Sequence, residues 1–331
     1  MHGSPHKTHL LIVVLPIIML ACTLALLTDA KEPEQQAQTS TTELLGRLNH
    51  AALTESSGLA TSRSRPGIFW THNDSSGKAS LFAFTSHGDH IATVTVEGAT
   101  AHDWEDICAF TWRDQHWILI ADTGNNWAKR DSFVLYVIKD PLVDPDKPET
   151  TVSIPVAWKI RFKYKEDPQD CEAVAVDTVT EQVLLATKRE VPAALYALPL
   201  HGEADGISIA QRSGELSQLP RPSLKEVAQN PILGKYYHQP TAMDLSPDGK
   251  HALVVTYKHA YLFAKEGDQG WREVFAATPQ VIELPERKQG ESGCFTSDGQ
   301  GIVVGSEGKA SPLWLVRLDR FANLDRLPTK Q

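Results

Sequence analysis

The feature that most constrains this chain is a repeated pattern of short β-rich segments. Each segment begins with a polar residue, continues through small and apolar residues, and ends in a turn. Two further apolar runs follow each segment, separated by Gly, Asp, Asn and Pro, which is typical of strands joined by tight turns. The segments are ESSGLATS, EDICAFTW, EAVAVDTV, TAMDLSPDG and ESGCFTSDG, which begin at Glu55, Glu105, Glu172, Thr241 and Glu291.

A fourth, more polar run follows each of the first four repeats, at residues 91–98, 151–162, 206–213 and 272–284. Four antiparallel strands per repeat form the blade of a propeller. We therefore predict an all-β fold, a single β-propeller with five four-stranded blades.

The fifth repeat lacks a fourth strand of its own. We expect residues 44–53 to supply it and to close the ring by pairing with the last blade, which removes exposed strand edges. A degenerate sixth blade around residues 220–239 is the alternative. A loop with a short helix capped by Ser223 fits that segment better.

Residues 1–30 form a segment of a different kind. Lys7 precedes an apolar run at residues 10–27, which is typical of an export signal. The run is also just long enough to span a bilayer as a helix. Three fates stay open: an uncleaved membrane anchor, a signal peptide cut after Ala30, or a lipoprotein acylated at Cys22.

Residues 31–43 are polar and lack aromatics, so we predict a flexible tether before a propeller domain at 44–331. The expected location is outside the cytoplasm, either anchored to a membrane or free in the periplasm or extracellular space. The net charge of −9 and the lack of a basic stripe argue against a nucleic-acid partner. The remaining cysteines permit one disulfide and a free thiol, or three buried thiols; they are Cys108, Cys171 and Cys294.

Strand direction places the start of each repeat at one mouth of the axial channel, beside the turns after the second strands. Four of the repeats begin with glutamate, and carboxylates held close together need protons, cations or hydrogen bonds. Ca²⁺ would satisfy them, as would Lys188 and Lys258 from neighbouring turns. The alternative is a structural role, in which each glutamate caps backbone N–H groups and pairs with a lysine. The glutamates are Glu55, Glu105, Glu172 and Glu291.

Several residues near this mouth are candidates for chemistry. His72 could act as a general base or a ligand, and Asp106 belongs to the acid-rich segment 103–106, so these two are the catalytic candidates. A spaced acid pair recurs at Asp170 and Glu172. The ligand-binding candidates are Glu105, Glu172, Glu291, Lys188, Lys258 and Asn125.

The segments ESSGL, THNDS, DWEDI, ADTGNN, DCEAV and SPDG together resemble a group of bacterial exported β-propeller proteins of unassigned function. More distantly, the architecture is similar to the gluconolactonase and paraoxonase-type propellers, which hold calcium in the axial channel. That resemblance implies Glu55, Asn73 and Asp122 as metal ligands. Lys188 and Lys258 depart from it, because they occupy turns where that pattern has neutral or anionic ligands.

Three functions follow from these patterns. The first is an envelope-associated binding or scaffold module that acts through the channel mouth on an envelope protein or a small ligand. The second is a calcium-assisted hydrolase of an ester, lactone or phosphoester. The third is a sugar- or phosphate-binding propeller. The chain contains no G-x-S-x-G, H-E-x-x-H or P-loop motif that would favour a common hydrolase class.

Overall fold

The computed structural model describes residues 41–74, 77–148, 150–203 and 206–318. The leader, with its anchor, cleavage and Cys22 alternatives, lies outside the described residues, as does most of the predicted tether. In the described part of the chain, no helix is long and apolar enough to cross a membrane.

Strands make up most of the described secondary structure. The helical elements within these ranges are α1 (Leu224–Gln229), α2 (Trp271–Ala276) and a 3-10 turn (Gly234–Tyr236). In chain order the strands are β1 (Thr41–Leu48), β2 (Ser56–Thr61), β3 (Ile68–Asn73), β4 (Ser80–Thr85), β5 (His90–Glu97), β6 (Trp104–Trp112), β7 (Gln115–Asp122), β8 (Phe133–Lys139), β9 (Thr150–Pro155), β10 (Trp158–Tyr164), β11 (Cys171–Asp177), β12 (Gln182–Thr187), β13 (Ala194–Pro199), β14 (Ser208–Glu215), β15 (Pro240–Leu245), β16 (His251–Thr256), β17 (His259–Ala264), β18 (Gln280–Glu283), β19 (Gly293–Phe295), β20 (Gly301–Val304) and β21 (Ser311–Arg317).

Antiparallel pairing sorts the described strands, apart from β9, into groups of four. The groups are β2–β5, then β6, β7, β8 and β10, then β11–β14, then β15–β18, and finally β19, β20 and β21 with β1. The innermost strands β2, β6, β11, β15 and β19 contact one another in that order, and β19 contacts β2. The chain is therefore a β-propeller, and the predicted all-β class is confirmed.

The two ends of the domain meet in one sheet. β1 pairs antiparallel with β21, with Thr41 opposite Arg317 and Leu48 opposite Ser311. The predicted closure of the ring by the N-terminal strand is confirmed. The strand begins three residues earlier than expected, at Thr41 instead of residue 44, because the β-branched pair Thr41 and Thr42 continues the ladder along β21.

Two of the predicted fourth strands differ from the structure. Residues 151–162 do not form one strand: β9 pairs in parallel with β5 of the first group, and β10 completes the second group beside β8. The break follows Pro155, which has no N–H to continue a ladder. Residues 272–284 begin in α2 and only then form β18, because Trp271, Val274 and Phe275 have the helical spacing that buries one face.

The segment 220–239 forms α1 and the 3-10 turn, as its helix prediction requires. The Ser223 hydroxyl accepts a hydrogen bond from the N–H of Glu226 at 3.2 Å. The Glu226 carboxylate in turn accepts one from the N–H of Ser223 at 2.7 Å. This reciprocal capping box begins a helix that contains no buried residue. No strand lies among these described residues.

Two turns with matching sequences adopt the same conformation. In each, the glycine N–H donates to the carbonyl three residues earlier, from Gly249 to Ser246 at 2.8 Å and from Gly299 to Thr296 at 2.9 Å. Both glycines have φ of +69°, a left-handed conformation that disfavours other residues. The repeat of sequence is therefore a repeat of backbone geometry.

The hydrophobic core lies between neighbouring groups of strands. Trp70 of β3 packs with Ile120 of β7 in one such cluster, and Leu195 of β13 packs with Val254 of β16 in another. Burial of each large apolar side chain contributes about 1.5–3 kcal/mol relative to exposure. The three described cysteines lie in the interior as free thiols, at Cys108, Cys171 and Cys294.

Candidate functional site

A polar cavity of about 260 Å³ lies at the mouth where the innermost strands begin. We call it the axial mouth. Three of the predicted glutamates line it and are almost buried: Glu105 is 3% exposed, Glu172 3% and Glu291 6%. Glu55 is half-buried and lies outside the lining. The residues lining the axial mouth are Asp74, Glu105, Asn126, Glu172, Lys188, Arg189, Tyr236, Gln239, Tyr257, Gln289 and Glu291.

Backbone contacts bring three acids from two groups of strands together. The N–H of Asp74 donates to the carbonyl of Glu55 at 3.0 Å, and the carbonyl of Asp74 accepts from the N–H of Trp104 at 3.2 Å. The turn after β3 is thereby held against the start of β6. Asp74, Asp103 and Glu105 each offer a carboxylate oxygen, and these oxygens lie within 4.8 Å of one another. We call these three residues the acidic triad.

A second set of acids shares Glu105 with the triad. Glu105, Asp170 and Glu172 also place carboxylate oxygens within 4.8 Å of one another. This set already has cations: Lys188 forms an ion pair with Glu172, and Arg189 donates to Asp170 at 2.7 Å. Two of its three carboxylates, those of Glu172 and Asp170, therefore have a cation from the chain itself.

Gly124 provides the space that the triad occupies. A Cβ at this position would lie 2.0 Å from Oε1 of Glu105 and 2.4 Å from Oδ2 of Asp103. Any other residue would push at least one of these carboxylates aside. Among the described residues, Oε1 of Glu105 and Oδ1 of Asp74 are buried without a hydrogen-bond partner. Buried polar atoms nearly always have a partner, so these two acceptors are the places in the mouth where a proton, a donor group or a cation would be stabilised.

Two carboxyl groups of the axial mouth, those of Asp74 and Glu105, have a raised pKa and hold protons more tightly than isolated ones. Burial, followed by repulsion from Glu291 and Asp103, raises the pKa of Asp74 to about 8. Burial and the charges of Glu172 and Asp74 raise the pKa of Glu105 well above its usual value. The mouth therefore carries more carboxylates than its own cations neutralise.

Two further acids have a pKa near neutrality. Burial raises the pKa of Glu172 to about 7, against the lowering effect of Lys188. Burial, with repulsion from Glu291 and Glu55, raises the pKa of Glu307 to about 7. For Lys188, burial lowers the pKa, but the neighbouring carboxylates, Glu172 first, raise it above its ordinary value.

The residues implied as metal ligands by resemblance do not meet in this cavity. Oδ1 of Asn73 accepts hydrogen bonds from the N–H groups of Thr54 and Glu55 at 2.9 and 3.0 Å. Asp122 is buried and paired with Arg130 at 2.8 Å. Both side chains are thus engaged by their immediate surroundings. The charges of Asp122 and Glu55 still act on nearby acids, since Asp122 contributes to the raised pKa of Asp103 and Glu55 to that of Glu307.

Two predicted ligand-binding residues also lie outside the cavity lining. Oδ1 of Asn125 accepts from the N–H groups of Lys129 and Arg130, both at 2.9 Å, so its side chain shapes the loop after β7. Lys258 forms an ion pair with Glu226 of α1, so its charge is compensated by a residue outside the cavity lining.

The two catalytic candidates are buried beneath the surface. His72 packs edge-on against Trp104, and burial lowers its pKa to about 4. Asp106 accepts hydrogen bonds from three backbone N–H groups: Ile107 at 2.9 Å, Val174 at 2.9 Å and Met243 at 3.1 Å. Its carboxylate therefore links the innermost strands β6, β11 and β15.

Sequence patterns indicate part of the axial mouth. The spaced acids of 103–105 and 170–172 contain four members of the two acid sets. Tyr257 comes directly after β16, just as Lys188 comes directly after β12. This equivalent turn position indicates that Tyr257 lies at the mouth. No local signal marks Tyr236, Gln239 or Gln289, which reach the mouth from a long insertion and from the segment before β19.

No protein-family model and no curated protein matches this sequence. Similar solved structures include a luciferin-regenerating enzyme, with 9% identity, a TM-score of 0.44 and coverage of 85% of this chain and 96% of that chain. A nidogen/laminin complex gives 9% identity, a TM-score of 0.43 and coverage of 78% and 74%. Hydrazine synthase of Kuenenia stuttgartiensis gives 9% identity, a TM-score of 0.39 and coverage of 79% of this chain and 71% of that chain. Likeness at this level carries no inference about function.

Proposed function

We propose that this propeller is a ligand-binding module whose axial mouth binds a divalent cation, held by Asp74, Asp103 and Glu105. The observation that carries the proposal is the unpartnered, buried Oε1 of Glu105 lying against Gly124, where no side chain fits. A hard cation with carboxylate ligands satisfies such an atom without adding volume that the site lacks.

The spacing of the triad allows one divalent cation, Ca²⁺ among them, to contact all three carboxylates. Calcium–oxygen distances of 2.3–2.6 Å place opposite ligands about 4.6–5.2 Å apart. The triad oxygens lie within 4.8 Å of one another. Waters or a ligand oxygen would complete the six to eight positions that calcium takes.

The charge of the mouth supports the same conclusion. The pKa of Asp74 is raised to about 8, and that of Glu105 is raised well above its usual value. A bound divalent ion would replace the protons that these groups otherwise retain, because it offers a stronger counter-charge. Lys188 and Arg189 form their ion pairs with Glu172 and Asp170, and within the described ranges no ion pair reaches a carboxylate of the triad.

Calorimetric titration tests the proposal. Full-length protein, stripped of divalent ions with chelator and dialysed, is titrated with CaCl₂. We expect saturable binding, a melting temperature that rises with calcium, and about 2.7 kcal/mol of stabilisation at a hundredfold excess over Kd. Glu105→Gln should abolish binding, whereas Glu97→Gln, at the exposed end of β5, should not. Absence of heat and of thermal shift with Ca²⁺, Mg²⁺ and Mn²⁺ would refute the cation site.

A metal-assisted hydrolase of an ester, lactone or phosphoester is the second candidate. One observation favours it: Glu172, with a pKa raised to about 7, lies beside the triad, where a general base would stand. A panel of activated esters, lactones and phosphoesters is assayed with and without calcium. Turnover that Glu172→Gln removes, with calcium binding retained, supports the hydrolase, and no turnover on any class rejects it.

We also propose an extracytoplasmic location, as in the exported propellers of unassigned function that the sequence resembles. The apolar run at residues 10–27 and the polar segment after it support this proposal. Fractionation of cells that produce the protein with a C-terminal tag, followed by protease treatment of intact cells or spheroplasts, tests it. A tag found only in the cytoplasmic fraction would refute it.

A further inference from the structure

A second cavity lies beside the axial mouth and carries the opposite charge. Its volume is about 240 Å³, and Arg287 and Lys288 line it together with Asn230 and Tyr237. Glu286 is the acidic residue of this lining. Both Glu286 and Lys288 are exposed, so Arg287 is the charged residue held within the cavity. The cavity is therefore a cationic site, which neither the sequence patterns nor the proposed function assigns.

The guanidinium of Arg287 is only partly satisfied. Its Nη2 donates to the carbonyls of Thr256 at 3.1 Å, Lys258 at 3.3 Å and Tyr257 at 3.4 Å, which anchors the turn after β16. Among the described residues, its Nε and Nη1 are buried and have no acceptor. The ion pairs formed within the described ranges do not include Arg287.

Arg287 is half-buried as a residue, but its buried Nε and Nη1 donors are costly to leave without an acceptor, and such perturbed groups cluster at binding sites. Burial lowers the pKa of Arg287 to about 10, which leaves the group charged at neutral pH. Gly290 makes room for it, since a Cβ there would lie 2.4 Å from both Cζ and Nη1 of Arg287. A guanidinium with free donors, in a cavity of this size, matches the oxygens of a carboxylate or phosphate.

Two side chains connect this cavity with the axial mouth. Tyr257 and Gln289 line both. The hydroxyl of Tyr257 donates to Glu291 at 3.2 Å, and the amide of Gln289 donates to the same carboxylate at 2.6 Å. One ligand could therefore extend from the acids of the mouth, over these two side chains, to Arg287.

We propose that the Arg287 cavity binds the anionic group, a carboxylate or a phosphate, of the ligand that the axial mouth receives. The proposal rests on the function proposed above, and it names the ligand class: a small molecule with an oxyanion at one end. The tyrosine hydroxyl of Tyr237, which accepts from Asn230 at 3.0 Å, retains its own proton to donate to that oxyanion.

The test observes Arg287 directly. Full-length protein labelled with ¹⁵N-arginine is titrated with inorganic phosphate and, in a separate arm, with acetate. The Nε–H resonance of Arg287, assigned by its loss in Arg287→Lys, should shift in a saturable way with at least one anion. The more strongly bound anion tells a phosphate ligand from a carboxylate ligand. Arg272→Lys, at an exposed position of α2, is the matched control and should leave the shift unchanged.

Affinity measurements with variants complete the test. Tyr237→Phe leaves Arg287 in place and should weaken the affinity for the anion by about tenfold, which corresponds to 1.4 kcal/mol. It serves as the second variant if Arg287→Lys fails to fold. An Arg287 Nε–H resonance that moves with neither anion, or equal anion affinity in wild type and both variants, overturns the inference.

Calcium titration of the same samples keeps the two proposals distinguishable. If calcium binds and the Arg287 resonance is silent, the anion site is rejected and the cation site stands. If the resonance shifts but calcium does not bind, the anion site stands and the cation site is rejected.

Discussion

Replacement of Asp106 by alanine should destabilise the propeller far more than replacement by asparagine. The carboxylate of Asp106 accepts the N–H groups of Val174 and Met243 from two other innermost strands. In Asp106→Ala these two buried donors lose their acceptor, at about 1–3 kcal/mol each, so the free energy of unfolding should fall by about 2–6 kcal/mol.

Asparagine keeps one oxygen for these two donors and places its amide beside the N–H of Ile107. It therefore loses the local bond of 2.9 Å and retains the bonds between strands. Burial raises the pKa of Asp106 well above its usual value, so the neutral amide also avoids the cost of a buried charge. We expect Asp106→Asn to lose about 1 kcal/mol.

Urea unfolding at pH 7, followed by tryptophan fluorescence and circular dichroism, measures both variants. Asp268→Ala removes an exposed acid and serves as the control. If Asp106 has a structural role, Asp106→Ala should be far less stable than Asp106→Asn, and Asp106→Asn should be nearly as stable as wild type. If Asp106→Ala unfolds within about 1 kcal/mol of wild type, or if both variants lose the same stability, the proposed link between strands is wrong. A catalytic role would instead remove activity equally in both without a stability difference.

Three further predictions concern the mouth and the channel. Gly124→Ala should weaken calcium binding at least about tenfold in calorimetry, because the alanine Cβ displaces the Glu105 carboxylate. Unchanged affinity would exclude the triad as the calcium site. Lys188→Met should lower the free energy of unfolding by about 3–5 kcal/mol, measured with urea at pH 8, because Glu172 is left buried and unpaired. This loss of stability should shrink at pH 5, where Glu172 is protonated. An equal loss at both pH values would contradict the prediction. Asp244 of the innermost strand β15 is buried and accepts a hydrogen bond from the N–H of Phe295 of β19 at 2.9 Å. Burial raises its pKa to about 6, above the unfolded value of 3.8, so its contribution to the free energy of unfolding is present at low pH and is lost as pH rises through 6. From pH 4.5 to 7.5 wild type should lose about 2 kcal/mol relative to Asp244→Asn, and parallel pH profiles would refute the shift.

Short-range features of this fold could be predicted because their causes are local. The turns at 246–249 and 296–299 each need a glycine with positive φ at the fourth position. Helix α1 begins where Ser223 and Glu226 cap each other, three residues apart. The closure by β1 follows from a missing strand in the last repeat. Errors arose where a local pattern was ambiguous, as at Pro155, where one expected strand is two.

The repeated glutamates were enough to place the mouth, since equivalent positions in repeated blades meet around one axis. They were not enough to select the ligand set. Asn73 and Asp122 have suitable oxygens, but backbone N–H groups engage the first and Arg130 engages the second. Such competition depends on loops whose conformation no short motif specifies.

The sequence by itself determined the repeat, the strand content, the ring closure and the excess of acids at one end of the channel. Only the tertiary structure decided that Asp74 joins Asp103 and Glu105, that Gly124 gives them space, and that the acidic mouth has a cationic neighbour. The physical reason is distance along the chain. These groups meet through strand register and packing between blades, which no short stretch of sequence specifies.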